Sequence, residues 1–204
     1  MTIHFLAPED KNKWHSVWKK CFNTWTKTSY DLNIWTDEGI DGLLQKDDNE
    51  FYYNYLNQID PIYKFDYVRF IILEQYGGIY SDMDIELIEN FIPMLNPNKI
   101  YMMEGDIGEL YSNCLMTSPN DNATQEVWRT LKLFCKQRII DNFELCKDKY
   151  NVMRMVGPFA ISEWFAKYFN EFNLPKVGVL SKYHFSQIDS DISFSKHYST
   201  NTWN

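Results

Sequence analysis

The sequence predicts one α/β domain, residues 1–204, in which strands alternate with helices. Its length suits a single domain that can bury a sizeable core. Residues 2–6 (TIHFL) and 31–37 (DLNIWTD) are typical of strands, and a helix between them is marked by regularly spaced tryptophans, Trp14, Trp18 and Trp25. A strand, a helix and a second strand in this order indicate an α/β sheet.

The rest of the chain is expected to continue this alternation. A buried helix is predicted from Pro61, with apolar residues at 3.6-residue spacing and Gly77-Gly78 as its stop. The other expected elements are a polar connection at 39–50, strands at 79–87, 99–104, 112–117 and 177–180, and helices at 122–139 and 157–169.

Composition and charge narrow the possible partners. The formal net charge is -8 with no block of Lys or Arg, so the footprint of a nucleic-acid-binding protein is absent. No stretch approaches the roughly 20 apolar residues of a membrane span, and we expect a soluble, unexported protein. The cysteines have no metal-binding spacing and are interpreted as reduced, mostly structural thiols: Cys21, Cys114, Cys135 and Cys146.

Residues 79–87 (IYSDMDIEL) carry carboxylates at alternate positions. In a strand, Asp82, Asp84 and Glu86 would share one face, where like charges repel unless solvent or a cation compensates them. A divalent ion with oxygen ligands is the natural partner, and a solvated acidic strand is the simpler alternative. A calcium-binding loop is excluded, because its sixth position needs Gly where this chain has Leu87. An aspartyl-nucleophile phosphohydrolase, which also uses D-x-D after a strand, stays open.

The helix before this motif contributes a second pair of charges. Asp66 and Arg69 are three residues apart and therefore share a helix face. Taken alone, they would be an ordinary surface ion pair.

Together, these residues resemble a known family. The run DYVRFIILEQYGGIYSDMDIEL, residues 66–87, is similar to the signature of the DXD-type sugar-nucleotide glycosyltransferases, which include fungal initiating mannosyltransferases, bacterial capsular-sugar transferases and glucosylating clostridial toxins. Weaker similarities are I-H at 3–4, W-T-D at 35–37, G-P at 157–158 and H-x5-W at 197–203. The resemblance implies the GT-A fold, a nucleotide-binding α/β sandwich whose central sheet is mostly parallel and flanked by helices.

The resemblance also implies roles for individual residues. Asp66 and Arg69 would bind hydroxyls of the donor sugar. Asp82 would lie near the ribose or the metal, and Asp84 would bind the metal, Mn²⁺ or Mg²⁺, directly. These four are the expected catalytic residues. The implied donor-binding set is Ile3, Asp66, Arg69, Tyr80, Asp82 and Trp203, and the implied metal set is Asp82, Asp84, His197 and Asn201. We expect residues 196–204 to fold over the bound nucleotide.

The function expected from this resemblance is metal-dependent sugar transfer with retention of anomeric configuration. The donor would be a nucleotide sugar, with a UDP-sugar expected, and the acceptor a glycan or glycoprotein. The alternatives are the phosphohydrolase and a non-catalytic module that binds nucleotide sugars or carbohydrate. We expect a monomer or one domain of a larger protein. Abundant Asn, Lys, Ile and Tyr suggest a bacterial or large-virus pathway, such as chlorella-virus capsid glycosylation, acting in the cytoplasm, which for a virus is the host's.

Overall fold

A computed structural model describes residues 1–105, 111–168, 177–185 and 193–200, and within these ranges it confirms the α/β class. The strands are β1 Thr2–Leu6, β2 Asp31–Trp35, β3 Gly78–Ser81, β4 Ile85–Leu87, β5 Ile100–Glu104, β6 Tyr111–Ser118, β7 Val177–Leu180 and β8 Ser195–His197. The α-helices are α1 Ser16–Trp25, α2 Asp37–Asp47, α3 Asn49–Asn54, α4 Ile62–Tyr76, α5 Asn122–Asp141, α6 Val152–Met155, α7 Pro158–Tyr168 and α8 Lys182–Phe185.

The central sheet is mostly parallel, as predicted. In the described part of the chain it has six strands in the order β2-β1-β3-β6-β5-β7. Only β6 runs against its neighbours β3 and β5, so the other five strands point the same way. The carboxyl ends of β1 and β3 therefore meet at one edge of the sheet, which is where open α/β sheets usually bind ligands.

Helix α4 fixes the approach to that edge. It lies against one face of the sheet and is buried on nearly all sides, including the charged residues Asp66 and Arg69. The helix ends at Gly77 with a φ of 61°, and Gly78 follows with a φ of 84°. A Cβ at Gly78 would lie 2.3 Å from the Thr2 carbonyl oxygen of β1. The glycine pair thus both stops the helix and lets β3 pair closely with β1.

The polar connection expected at 39–50 is wrong, because this region forms most of α2 and the start of α3. The Thr36 hydroxyl caps the first helix and the Asp48 carboxylate caps the second. Leu43 and Leu44 pack into the core beside α4, while Glu38 and Lys46 are exposed. The pattern is thus that of short amphipathic helices.

The single strand expected at 79–87 is also wrong. Strand β3 ends at Ser81, a turn closed by the Ile85 N–H on the Asp82 carbonyl follows at 3.2 Å, and β4 then leaves the central sheet. Strand β4 pairs antiparallel with β8 in a separate two-stranded sheet. Asp82 and Asp84 therefore flank a turn between two sheets and do not alternate along one strand.

Two apolar cores cover the two faces of the central sheet. Helix α4 and its neighbours bury one face, and α1, β4 and α8 bury the other. Trp14 and Trp25 lie in the second core. None of the helices in the described ranges combines the length and apolar character that a membrane crossing requires.

Candidate active site

A cleft of about 310 Å³ opens at the carboxyl ends of β1 and β3. It brings together most of the predicted site residues: Asp66, Arg69, Tyr80, Asp82, Asp84 and His197. A larger hollow of about 380 Å³ lies beside Thr2 and Gly78, but no carboxylate is among its lining residues. The cleft is therefore where the acidic groups can act together.

Arg69 lies between two carboxylates inside the cleft. Its Nη2 atom is 2.8 Å from Asp66 Oδ1 and 3.4 Å from Asp82 Oδ1. The Tyr80 hydroxyl donates to the same Asp82 oxygen at 2.6 Å. Burial raises the pKa of Asp66, with the Arg69 charge opposing the rise. Burial would lower the pKa of Arg69, but Asp66 and Asp82 raise it instead, so the guanidinium stays charged.

Asp84 is held by the segment that follows β8. Its Oδ2 atom accepts the Thr200 N–H at 2.8 Å and the Thr200 hydroxyl at 2.9 Å, and its Oδ1 atom lies 3.4 Å from His197 Nε2. Burial would raise the pKa of Asp84, but His197 and Thr200 lower it to about 2. Burial would likewise lower the pKa of His197, but Cys114 and Asp84 raise it to about 11. Asp84 and His197 thus form an ion pair.

Glu86 does not join the other two carboxylates. Its Oε2 atom lies 2.9 Å from Lys20 Nζ and accepts the Tyr198 hydroxyl at 2.6 Å. Lys20 also donates to the Tyr198 oxygen at 2.6 Å. This cluster attaches the segment after β8 to β4 and α1, so Glu86 supports the site from outside.

A divalent ion fits the donor atoms that the cleft presents. One ligand atom each from Asp82, Cys114 and His197 lies within 4.8 Å of the others, and Asp84 Oδ1 adjoins His197. Carboxylate and imidazole groups are suitable ligands for such an ion. The individual roles of these residues stay predictions.

Several predicted residues lie elsewhere. Ile3 is completely buried in the core rather than in the cleft. Asn201 and Trp203, which were expected to bind metal and donor, lie outside the described residues, as does the rest of the predicted closing segment beyond Thr200.

Sequence reasoning missed other cleft residues. Trp18, which the sequence marked only as a helix residue, lines the cleft, and its indole N–H donates to the Thr200 hydroxyl at 3.3 Å. Asn113 and Cys114 come from β6, whose pairing with β3 brings them beside Asp82. Nothing local in the sequence marks these residues, because the pairing of β6 with β3 brings Asn113 and Cys114 to the site and the packing of α1 brings Trp18.

Comparison with known families confirms the resemblance over part of the chain. Residues 15–104 match the family described as "Glycosyltransferase sugar-binding region containing DXD motif". Inositol phosphoceramide mannosyltransferase 3 of Schizosaccharomyces pombe is 32% identical over 88 residues, which is 43% of this chain and 24% of that protein. Mannosyl phosphorylinositol ceramide synthase CSH1 of Saccharomyces cerevisiae is 27% identical over 157 residues, 76% of this chain and 39% of that protein. The chain thus matches less than half the length of either yeast protein.

Solved structures with the same fold confirm the predicted GT-A architecture. The PaToxG glycosyltransferase aligns with a TM-score of 0.52 and 18% identity, covering 81% of this chain and 67% of that one. A glycosyltransferase involved in glycosylation of the major capsid of PBCV-1 aligns with a TM-score of 0.51 and 6% identity, covering 97% of this chain and 94% of that one. At these identities the likeness establishes the fold alone.

Proposed function

We propose that this protein is a glycosyltransferase that moves a sugar from a nucleotide-sugar donor to a glycan or glycoprotein acceptor with the help of a divalent ion. The observation that carries the proposal is the convergence of Asp66, Arg69, Asp82, Asp84 and His197 in one cleft at the carboxyl ends of β1 and β3. The cleft lies in a GT-A fold. The turn that contains Asp82 and Asp84, called the acidic turn below, lies in the segment that matches the DXD family.

The donor sugar is assigned to the inner part of the cleft. Asp66 and Arg69 are buried there and could hold sugar hydroxyls by charge-assisted hydrogen bonds. The buried Asn113 side chain interacts with the Asp66 carboxylate and helps to lower its pKa, but its amide nitrogen has no hydrogen bond of standard geometry among the described residues. A bound hydroxyl would satisfy this group, because buried polar groups are rarely left unpaired.

The diphosphate of the donor needs positive charge that the described side chains lining the cleft do not supply. Arg69 is already balanced by Asp66 and Asp82, and the whole chain has a net charge of -8. A divalent ion, which we expect to be Mn²⁺ or Mg²⁺, would stabilise the departing nucleoside diphosphate as a Lewis acid. Asp82, Asp84 and His197 would hold the ion. With retention of configuration the protein needs no separate general base, and positioning of donor and acceptor supplies much of the rate.

The nucleobase is assigned to an apolar pocket of about 340 Å³ that adjoins the cleft. Leu6, Trp18 and Ile62 line both spaces, and Pro8 and Phe65 complete the apolar walls of the pocket. A flat base against these side chains would place its diphosphate toward Asp84. A UDP-sugar is the expected donor. Because both yeast relatives are named for mannosyl transfer, mannose donors belong in the same tests.

The phosphohydrolase alternative fits the geometry less well. The Tyr80 hydroxyl donates to Asp82 Oδ1 at 2.6 Å and the Arg69 charge faces the same oxygen, and both contacts stabilise the carboxylate and make it a weaker nucleophile. A non-catalytic binding module would use the same cleft without turnover, so only products separate it from an enzyme.

Product analysis over a panel of nucleotide sugars, with and without Mn²⁺ or Mg²⁺, tests the proposal. Transfer to an acceptor, or metal-dependent release of free sugar and nucleoside diphosphate, supports it. Release of inorganic phosphate supports the phosphohydrolase, and binding without turnover supports the module. Action in the cytoplasm, that of the host for a viral protein, is part of the proposal and is tested by locating the tagged protein in cell fractions.

A further inference from the structure

Cys114 presents a sulfur atom where the sequence suggested only oxygen and nitrogen donors. We infer that Cys114 is a ligand of the ion in the cleft, and that the site therefore prefers Mn²⁺ to Mg²⁺ and binds Co²⁺ and Zn²⁺ more tightly than either. The inference rests on the divalent ion of the proposed function and not on the transfer reaction itself.

Strand pairing fixes the position of Cys114. Leu115 of β6 is in register with Ser81 of β3, and the Asp82 N–H donates to the Cys114 carbonyl at 2.8 Å. The backbones of the two residues are thus joined at the point where β3 gives way to the acidic turn. Cys114 lines the cleft from the β6 side, and His197 reaches it from β8. Three separate elements supply the three donor atoms.

The distances between these atoms suit an ion after a small contraction. They lie within 4.8 Å of one another, whereas the ligands of a tetrahedral ion with bonds of about 2.0–2.3 Å are roughly 3.3–3.8 Å apart. Movement of each side chain by well under 1 Å closes the difference. The three residues are only partly buried, so an ion can enter from solvent.

The other cysteines differ from Cys114 in their surroundings. Cys21, Cys135 and Cys146 are fully buried, and none of them is among the residues that line the described cleft. Cys114 is partly exposed, and the Ser112 hydroxyl donates to its sulfur at 3.2 Å. Such a hydrogen bond onto a ligand sulfur is a common means of orienting it.

The donor set determines the choice of ion. On binding, the Cys114 thiol and the His197 imidazolium would each release a proton to solvent, because an ion is held by a thiolate and a neutral imidazole. The thiolate and the Asp82 carboxylate together would then balance the two charges of the ion. Mg²⁺ requires a nearly octahedral shell of oxygen atoms, which a sulfur ligand disrupts. Thiolate and imidazole ligands favour Zn²⁺ and Co²⁺, and Mn²⁺ stands below both in the general affinity order.

Cobalt spectroscopy on the whole protein tests the inference directly. Titration with Co²⁺ alone, and again with UDP present, is expected to produce the near-ultraviolet absorption of a cobalt–thiolate bond. Cys114→Ser should abolish that absorption and weaken Zn²⁺ binding by about tenfold or more, while leaving Mg²⁺ binding within about twofold. Cys146→Ala, in the turn Phe143–Lys147, is the matched control and should retain the absorption.

The outcomes also separate this inference from the proposed function. If Co²⁺ binds without the absorption, or if the absorption persists in Cys114→Ser, Cys114 is not a ligand of the ion. Either result leaves the proposed sugar transfer unaffected. The absorption in a protein that transfers no sugar supports the ligand and counts against the function. If Cys114→Ser does not fold, Cys114→Asp provides the second test. It should bind Mn²⁺ more tightly relative to Zn²⁺ than the unmodified protein does, and an unchanged ratio contradicts the inference.

Discussion

The guanidinium of Arg69 on helix α4 lies 3.4 Å from the carboxylate of Asp82 on the acidic turn. The same guanidinium lies 2.8 Å from Asp66, so a single cation joins the helix to the motif that follows it. The pair Asp66–Arg69 is therefore part of the cleft and not a surface ion pair. Removing either charge should affect ligand binding as well as stability.

Asp66→Asn should weaken the binding of a nucleotide sugar about tenfold or more, and the binding of the nucleoside diphosphate alone much less. The reason is that only the sugar hydroxyls would contact the lost carboxylate, and hydrogen bonds to charged groups are worth about 1.5–3 kcal/mol. Arg69 keeps Asp82 as its partner in this variant. Calorimetric titration of both ligands measures the difference, with exposed Asp31→Asn as the control. Equal weakening of the binding of both ligands would indicate that Asp66 has a structural role and does not contact the sugar.

Asp84→Asn should reduce metal-dependent turnover by about a hundredfold or more, because an amide is a poor ligand for the ion that stabilises the leaving group. The fold should survive, since the Asn amide oxygen can still accept both hydrogen bonds from Thr200. Turnover is measured against Mn²⁺ concentration and stability by thermal unfolding. Full activity in this variant would remove Asp84 from the metal site.

Tyr198→Phe should loosen the segment that follows β8. The lost hydroxyl donates to Glu86 at 2.6 Å, and its loss should lower stability by about 1 kcal/mol and the melting temperature by about 2–4 °C. The KM for the donor should rise more than kcat falls, because the segment positions Asp84 and His197. Tyr150→Phe, at a largely exposed tyrosine, is the control. Unchanged amide hydrogen exchange at Ser195–His197 would contradict this role for Tyr198.

Gly78→Ala should destabilise the protein by more than about 2 kcal/mol. Its φ of 84° is strained for alanine, and the new Cβ would lie 2.3 Å from the Thr2 carbonyl oxygen. Gly42→Ala is the matched control, and it is expected to raise the stability. It lies inside α2 with nothing within 4 Å of the added carbon, so it should stabilise by about 0.5–1 kcal/mol. Urea unfolding measures the stability of both variants. A similar change in the two would show that the backbone conformation at Gly78 is not the source of the destabilisation.

His4 should make stability depend on pH below neutrality. Burial lowers its pKa to about 4, against the ordinary 6.5 of the unfolded chain. The unfolded state therefore binds more protons between these values, and the free energy of unfolding should fall by about 3 kcal/mol as the pH drops from 6.5 to 4. His4→Asn, which keeps an acceptor for the Trp35 indole N–H, should flatten this slope. The free energy of unfolding of both proteins is measured between pH 4 and 6.5. An equal slope in the two proteins would show that His4 is not the source of the pH dependence.

The parts of the fold that were predictable depend on local signals. The stop at Gly77-Gly78 and the three-residue spacing of Asp66 and Arg69 follow from helix geometry, so α4 and its charged face could be derived from the sequence. The helices at 37–54 were missed because a few apolar residues among many polar ones looked like a connection. The caps at Thr36 and Asp48 were the available clue.

The parts of the site that were missed depend on contacts between distant segments. Alternation of apolar and acidic residues at 79–87 is typical of a strand, yet β4 pairs with β8 and leaves the central sheet. Glu86 turns to Lys20 and Tyr198 for the same reason. Cys114 and Thr200 reach the acidic turn only through tertiary pairing, which no local pattern in the sequence reveals.

The pairing of β8 with β4 also affects the order of the folding steps that lead to ligand binding. Asp84 and Thr200 are 116 residues apart in the chain, so their contact closes a long loop and carries a large entropic cost. The pairing of β1 with β2 and the packing of α4 on β3 join nearer segments and can form earlier. During refolding, the fluorescence of the core tryptophans should therefore reach its native value before the protein binds its ligand. The ability to bind ligand should appear in the last step.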